Sequence, residues 1–404
     1  MRHPSLPALL ALMLPCAGCG VAPPEFPVSR FERGELQPVA DYAREHATAG
    51  PVENQALALN VLAQCELLQG DLDAAWRHFG AAARIMGNWQ VAGSEEFAAI
   101  VGSESSKGWT GDPYERAMNA WYLGLCYLWR GEPDNARAAF KKGILADGET
   151  SDEKFRADFT LLFWMAGRMS LRMGSPGEAG DLFREARDAD AFARAHGSRG
   201  ERGNPLLAEP AAGNLVVFAE VGMGPEKVAV GDEQELARFR ARLHPAVRAQ
   251  VWVDGRLRGP TWTLVDVDYQ ARTRGGTEME GIRKGKAVFK AATRAAGIGV
   301  LVLGDERRHS AGRTATGLGL LLLSALTSTA ADVRHWPTLP STVQALALDV
   351  EPGQHELRID FLTAAGTVLP GLTQLLTVTV PADEELYVSF RSIPGRSRLP
   401  MVTP

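Results

Sequence analysis

One frame of small residues recurs three times in the first half of this 404-residue chain, and it leaves little choice of fold. In the central copy Gly124 is followed by Gly131, Ala136 and Phe140. Ala63, Gly70, Ala75 and Phe79 repeat those offsets upstream, with Ala82 beyond them. Gly167, Gly174, Ala179, Phe183 and Ala186 repeat them downstream. A glycine at the middle position supplies the turn that ends one helix and admits the next. The small residue before it and the aromatic after it then meet where two antiparallel helices cross closely. Three copies predict three stacked helical hairpins, since one hairpin alone cannot bury its apolar face.

The frame resembles the tetratricopeptide repeat. The turn glycines lie 61 and then 43 residues apart, against about 34 in an uninterrupted array of that type. The surplus over 85–115 predicts an inserted helix and loop, and an amphipathic helix over 31–47 predicts a cap for the open end. The concave face is predicted to carry Trp121, Leu125, Trp129, Trp164 and Arg168. Aromatic and Arg side chains often dominate binding at interfaces, so these five are the candidate partner-binding residues. Two occupants are open to such a groove: a peptide or protein, or the chain's own insertion or C-terminal domain. The Lys/Asn clamp that some such repeats use for C-terminal carboxylates is absent.

The N-terminus predicts export. Arg2 precedes an apolar run over 6–14 and a small-residue exit, Ala17-Gly18-Cys19, the order of a secretory signal. The run falls short of the roughly 20 apolar residues that span a bilayer. The exit resembles the bacterial lipobox, with Cys16 where Leu is commonest. That resemblance implies cleavage after residue 18 and a diacylglycerol on the Cys19 thiol. Gly20 in place of Asp implies the outer membrane, facing the periplasm. The prolines of residues 19–29 suit an extended lipidated tether. Cys65 and Cys126 would then sit in an oxidising compartment, either bridged or as two buried thiols.

Beyond the repeat region, 30–195, a Gly- and Pro-rich stretch over 196–213 reads as a linker. Residues 214–404 change period. Strands are predicted over 214–221, 251–253 and 261–267, and two hairpins over 343–361 and 376–390, closed at Pro352-Gly353 and at 381–384. Helices are predicted over 279–296, with five basic residues, and over 317–330, an apolar segment that reads as a buried helix. The fold class is therefore α+β: a tetratricopeptide-like α-solenoid, then a β-sandwich-like domain with inserted helices.

A formal charge of −5 leaves none of the basic footprint that nucleic-acid binding requires. No zinc-protease, serine-hydrolase or phosphate-loop motif is present. Gly297-Ile-Gly299 lacks the third glycine of a dinucleotide turn, and His244, His309, His335 and His355 lack metal-ligand spacing. Asp266 and Asp268 alternate along a predicted strand and so share a face; a metal or acid–base pair is the sharp reading, solvation the plain one. No catalytic residue, metal or cofactor is predicted. The segments 111–125, 284–296 and 331–340 resemble a family of uncharacterised bacterial envelope lipoproteins with tetratricopeptide-like repeats and an α/β tail. The resemblance implies an envelope location and brings no catalytic residues. The expected function is a non-enzymatic, lipid-anchored scaffold that binds an envelope protein through its repeats. The alternative is peptidoglycan or polysaccharide binding by the C-terminal domain, with Trp252 and Trp262 as its strand aromatics.

Overall fold

The computed structural model describes residues 22–87, 108–148, 159–230, 236–274 and 331–395. The signal and lipobox, most of the 85–115 insertion, the 279–296 and 317–330 helices, Gly297-Ile-Gly299 and His309 lie outside them.

The first half is helical and repeat-like. After α1 (Val28–Glu32) and α2 (Leu36–Thr48) come three hairpins: α3 (Gln55–Gln69) with α4 (Leu72–Gly87), α5 (Pro113–Trp129) with α6 (Pro133–Gly148), and α7 (Thr160–Arg172) with α8 (Pro176–Ala195). Each hairpin turns on the same device. Gly70, Gly131 and Gly174 are left-handed, with φ of 86°, 75° and 70°. In each, the next residue's N–H reaches back to a carbonyl of the closing helix: Asp71 to Glu66, Glu132 to Tyr127, Ser175 to Ser170. This Schellman closure satisfies carbonyls that a helix end otherwise strands. The small-residue frame marks the crossings. A Cβ on Gly124 would lie 2.2 Å from Phe140, and one on Gly167 2.5 Å from Phe183. The predicted cap helix over 31–47 is broken in two at Gly34, whose left-handed backbone abuts the Pro394 carbonyl.

The second half is a sandwich of two four-stranded sheets. The inner sheet has the order β10-β1-β7-β6, from β1 (Leu215–Val221), β6 (Trp262–Asp266), β7 (Thr342–Leu348) and β10 (Leu386–Arg391). The outer sheet has the order β5-β4-β8-β9, from β4 (Arg248–Val253), β5 (Arg256–Pro260), β8 (Gly353–Leu362) and β9 (Gln374–Val380). A separate ribbon pairs β2 (Glu226–Val230) with β3 (Leu236–Arg240). Short helices α9 (Pro205–Ala208) and α10 (Val267–Arg274) complete the set described. Strand β1 runs parallel to β10 and antiparallel to β7.

Three layers result: helices, inner sheet, outer sheet. Leu215, Val217, Ala219 and Val221 face the outer sheet, while Val216 and Phe218 face the helices. A strand apolar on both faces belongs in a middle layer. The same burial logic corrects both predicted hairpins. Strand β7 is almost wholly buried and pairs with β1 and β6, whereas β8 carries exposed Gln354 and Glu356 and pairs with β4 and β9. Strand β10 is wholly buried, whereas β9 exposes Leu375, Thr377 and Thr379. Each turn therefore passes from one sheet to the other, and of these four strands it is β8 and β9 that pair as neighbours.

Two boundaries also change. Residues 196–213 are no free linker: Leu206 and Leu207 are buried, and the Asn204 side-chain amide donates to the Thr263 carbonyl at 3.1 Å. Nor are residues 19–29 an extended tether throughout, since Phe26 is buried and α1 begins at Val28.

Candidate functional site

The five predicted groove residues do come together, but inside the molecule. Trp121, Leu125, Trp164 and Arg168 are 0–1% exposed and Trp129 is 5% exposed. Phe218 of β1 fills the groove, meeting Trp121 edge-to-face at 4.8 Å between ring centres and Trp164 at 6.4 Å. The indole N–H of Trp129 donates to the Tyr387 carbonyl at 2.8 Å, and that of Trp164 to the Leu206 carbonyl at 2.9 Å. Arg168 donates to the carbonyls of Pro210, Ala212 and Gly213 at 2.7–3.0 Å and to Glu385 at 2.6 Å. Their assignment to an outside partner is therefore corrected: the chain's own inner sheet occupies the face. The reason is area. A row of large aromatics is satisfied by the nearest apolar surface, and β1 supplies it on the same chain.

A second assembly lies beside this seam, and sequence reasoning missed it as a site. It joins the 111–125 and 331–340 segments, far apart in the chain. Glu115 on the first turn of α5 accepts from the Asp112 N–H at 2.8 Å, a capping interaction, and from the Trp336 N–H at 2.6 Å. Lys227 of β2 pairs with Asp112 at 2.7 Å, and Arg334 pairs with Asp332 at 2.6 Å while donating to the Glu53 carbonyl. Deeper in, Gln64 of α3 receives the Trp336 indole N–H at 3.0 Å and donates to Tyr122 at 2.9 Å. Tyr122 in turn donates to Glu220 of β1 at 2.7 Å. Arg391 of β10 closes the network on the carbonyls of Glu220, Thr338 and Leu339. The signal available in sequence was the two quoted segments; nothing in either said that they meet.

Burial sets the electrostatics. It pushes the Glu115 carboxyl up to about 8, helped by the Asp112 charge and opposed by Lys227. It raises Glu220 against the pull of Arg391, and lowers Arg391 itself. For Asp332, burial is outweighed by Arg334 and Lys227, and the group is lowered. Burial brings His335 down to about 4. Its Nδ1 lies 2.9 Å from the Val333 carbonyl, and its Nε2 is closed off from solvent without a partner. Some of these buried groups pair within one segment, as Arg334 does with Asp332, and others join segments far apart in the chain, as Lys227–Asp112 and Tyr122–Glu220 do. The arrangement locks register and holds no exposed nucleophile.

Asp266 and Asp268 are not on one strand: Asp266 ends β6 and Asp268 lies in the first turn of α10. They converge instead on Arg199, at 2.6 and 2.8 Å. The cation that sequence could not place there makes the pair an anchor for the 196–213 stretch. Among the described residues no group of three His, Cys, Asp or Glu is placed to hold a metal. Cys65 and Cys126 are separate buried thiols, both pushed up by burial. His244 and His355 lie apart, the former bonded within its loop, the latter 2.6 Å from Asp254.

The open surface is the outer face of the outer sheet. Strand register sets Leu257, Trp252, Arg358 and Leu375 in one row across all four strands. Leu257 and Leu375 are exposed, and the Arg358 guanidinium stacks 4.0 Å from the centre of the Trp252 ring. Trp262 is half-buried against both cores.

No family model and no curated protein matches the chain. Two crystal structures of MamA are similar to part of the chain: each is 18% identical with a TM-score of 0.22. They cover 41% and 43% of this chain, and 95% and 92% of those chains are covered in turn. At that score the likeness carries no argument about function.

Proposed function

We propose that this chain is a non-catalytic scaffold of the bacterial envelope, cut before Cys19 and lipid-anchored there at the periplasmic face of the outer membrane. It engages an envelope protein through the outer sheet rather than through the helical groove. The observation that directs binding to the outer sheet is the sealed groove: the repeats pack their aromatic face on β1, while on the outer sheet Leu257 and Leu375 are exposed on either side of the half-buried Trp252 and Arg358. Trp and Arg at the centre of an open face suit a protein interface.

The test is capture by crosslinking in intact cells, comparing wild type with a Leu257→Glu/Leu375→Glu variant whose far-UV spectrum is unchanged. An envelope protein held by wild type and lost from the variant is the expected result. Equal capture by both removes the outer sheet from the reading. Glycan binding stands second, supported by the position of Trp252 on that same face. Recovery of the protein on isolated sacculi, lost with Trp252→Ala, favours it; no recovery from sacculi ends it.

A further inference from the structure

We infer that the loop between α2 and α3, residues 51–54, rests on the membrane surface, with Val52 entering the headgroup layer. The inference rests on the lipid-anchor reading above. The chain is fixed to the helical body from Ala22 onward. Its Ala22 carbonyl accepts from the Asn54 side-chain amide at 3.1 Å, and the Glu25 N–H donates to the Tyr42 hydroxyl at 3.0 Å. Phe26 packs edge-to-face on Tyr42 at 5.5 Å and against His46 at 6.4 Å. Only three residue steps then separate Cys19 from a docked atom. Fully extended, they reach about 11 Å.

That reach decides the orientation. Acyl chains on Cys19 must lie in the hydrocarbon, so Cys19 itself sits in the headgroup layer, which is roughly 6 Å deep on each side of the core. Ala22 is then held within about 11 Å of a residue in that layer, with the Asn54 it bonds beside it. Val52, at the tip of the same loop, is 72% exposed and follows the exposed Pro51. An apolar tip held at that depth partitions into the interface. Among the described residues, Glu53 lies on this loop and Glu25 on the segment docked beside it, with the Arg334–Asp332 pair and Lys227 behind them and Arg334 bonded to the Glu53 carbonyl. This acid-rich rim fits a zwitterionic surface better than an anionic one.

The test uses the full lipidated protein on phosphatidylcholine–phosphatidylethanolamine vesicles. An environment-sensitive label is attached through Val52→Cys or, as a control in the third repeat, Met173→Cys at the α7–α8 turn; the native thiols are buried. Lipid-borne quenchers should remove most of the emission at position 52 and leave position 173 unchanged. A ~10-residue Gly/Ser insertion after Gly20 should keep the protein on the vesicles but restore emission at 52. Equal quenching at the two positions in protein that floats with vesicles, or quenching at 52 indifferent to the insertion, overturns the docking while the anchor stands. Mass spectrometry finding no lipid on Cys19, or a Cys19→Ala chain that floats as well as wild type, overturns the anchor and the docking with it.

Discussion

Arg168 concentrates the chemistry of the seam in one side chain. Its guanidinium is buried and donates to three backbone carbonyls of the 210–213 stretch, besides Glu385. A lysine has one nitrogen where the guanidinium has three, and it cannot match that fan of acceptors. Arg168→Lys should therefore lower unfolding stability by about 2–4 kcal/mol in urea titration, nearly as much as Arg168→Met. A loss below ~0.5 kcal/mol would mean that the carbonyls find other partners. Glu115 makes a pH prediction with a definite sign. Its folded value, raised to about 8, lies above its unfolded value near 4.5. The native state thus binds the extra proton between those limits, so this contribution is present below pH 4.5 and lost as pH rises toward 8. Glu115→Gln should cost about 1–3 kcal/mol at pH 5, because one of the two N–H groups loses its acceptor. It should also flatten the fall of the urea midpoint between pH 5 and pH 8. A variant that keeps the wild-type slope would place the titration elsewhere.

The repeat hairpins show what a sequence pattern can carry by itself. The turn glycines named from spacing alone sit at the turns, and Gly124 and Gly167 meet Phe140 and Phe183 at the crossings, because those contacts are local and steric. The strands of the sandwich other than β5 were legible for the same reason, since alternation and β-branched runs mark them; β2, β3 and β5, short and largely unburied, were not. Nor was the pairing of the legible strands. Pro352-Gly353 and 381–384 are good turns, yet a turn does not reveal whether its two strands bury one face or two. Only the wholly buried patterns of β7 and β10 separate them from β8 and β9. Glycine substitutions at this scale have opposite signs. Gly124→Ala puts a methyl into Phe140 and should destabilise by about 1–3 kcal/mol. Gly180→Ala, on the exposed side of α8 with nothing within 4 Å, should stabilise by about 0.4–1 kcal/mol through the unfolded chain. Thermal melts of the two variants check both; a Gly124→Ala melt at or above that of wild type would break the assignment of Gly124 to the crossing.

At the scale of the whole molecule, two halves that read as separate domains share one core. The candidate site was legible only in part: Trp121, Leu125, Trp129, Trp164 and Arg168 were found as a cluster, but which surface they meet is a question of long-range topology. Glu220 and Arg391 stand in strands whose pattern gives no hint that a helix layer covers them. With Phe218 wedged between them, the inner sheet and the helical repeats should fold as a unit. This is tested most directly by urea unfolding of wild type and Phe218→Ala, following the far-UV helix signal and tryptophan fluorescence together. A single transition is expected on both signals, moved down by about 3–5 kcal/mol in the variant. A helix transition that keeps its wild-type midpoint when Phe218 is removed would contradict it.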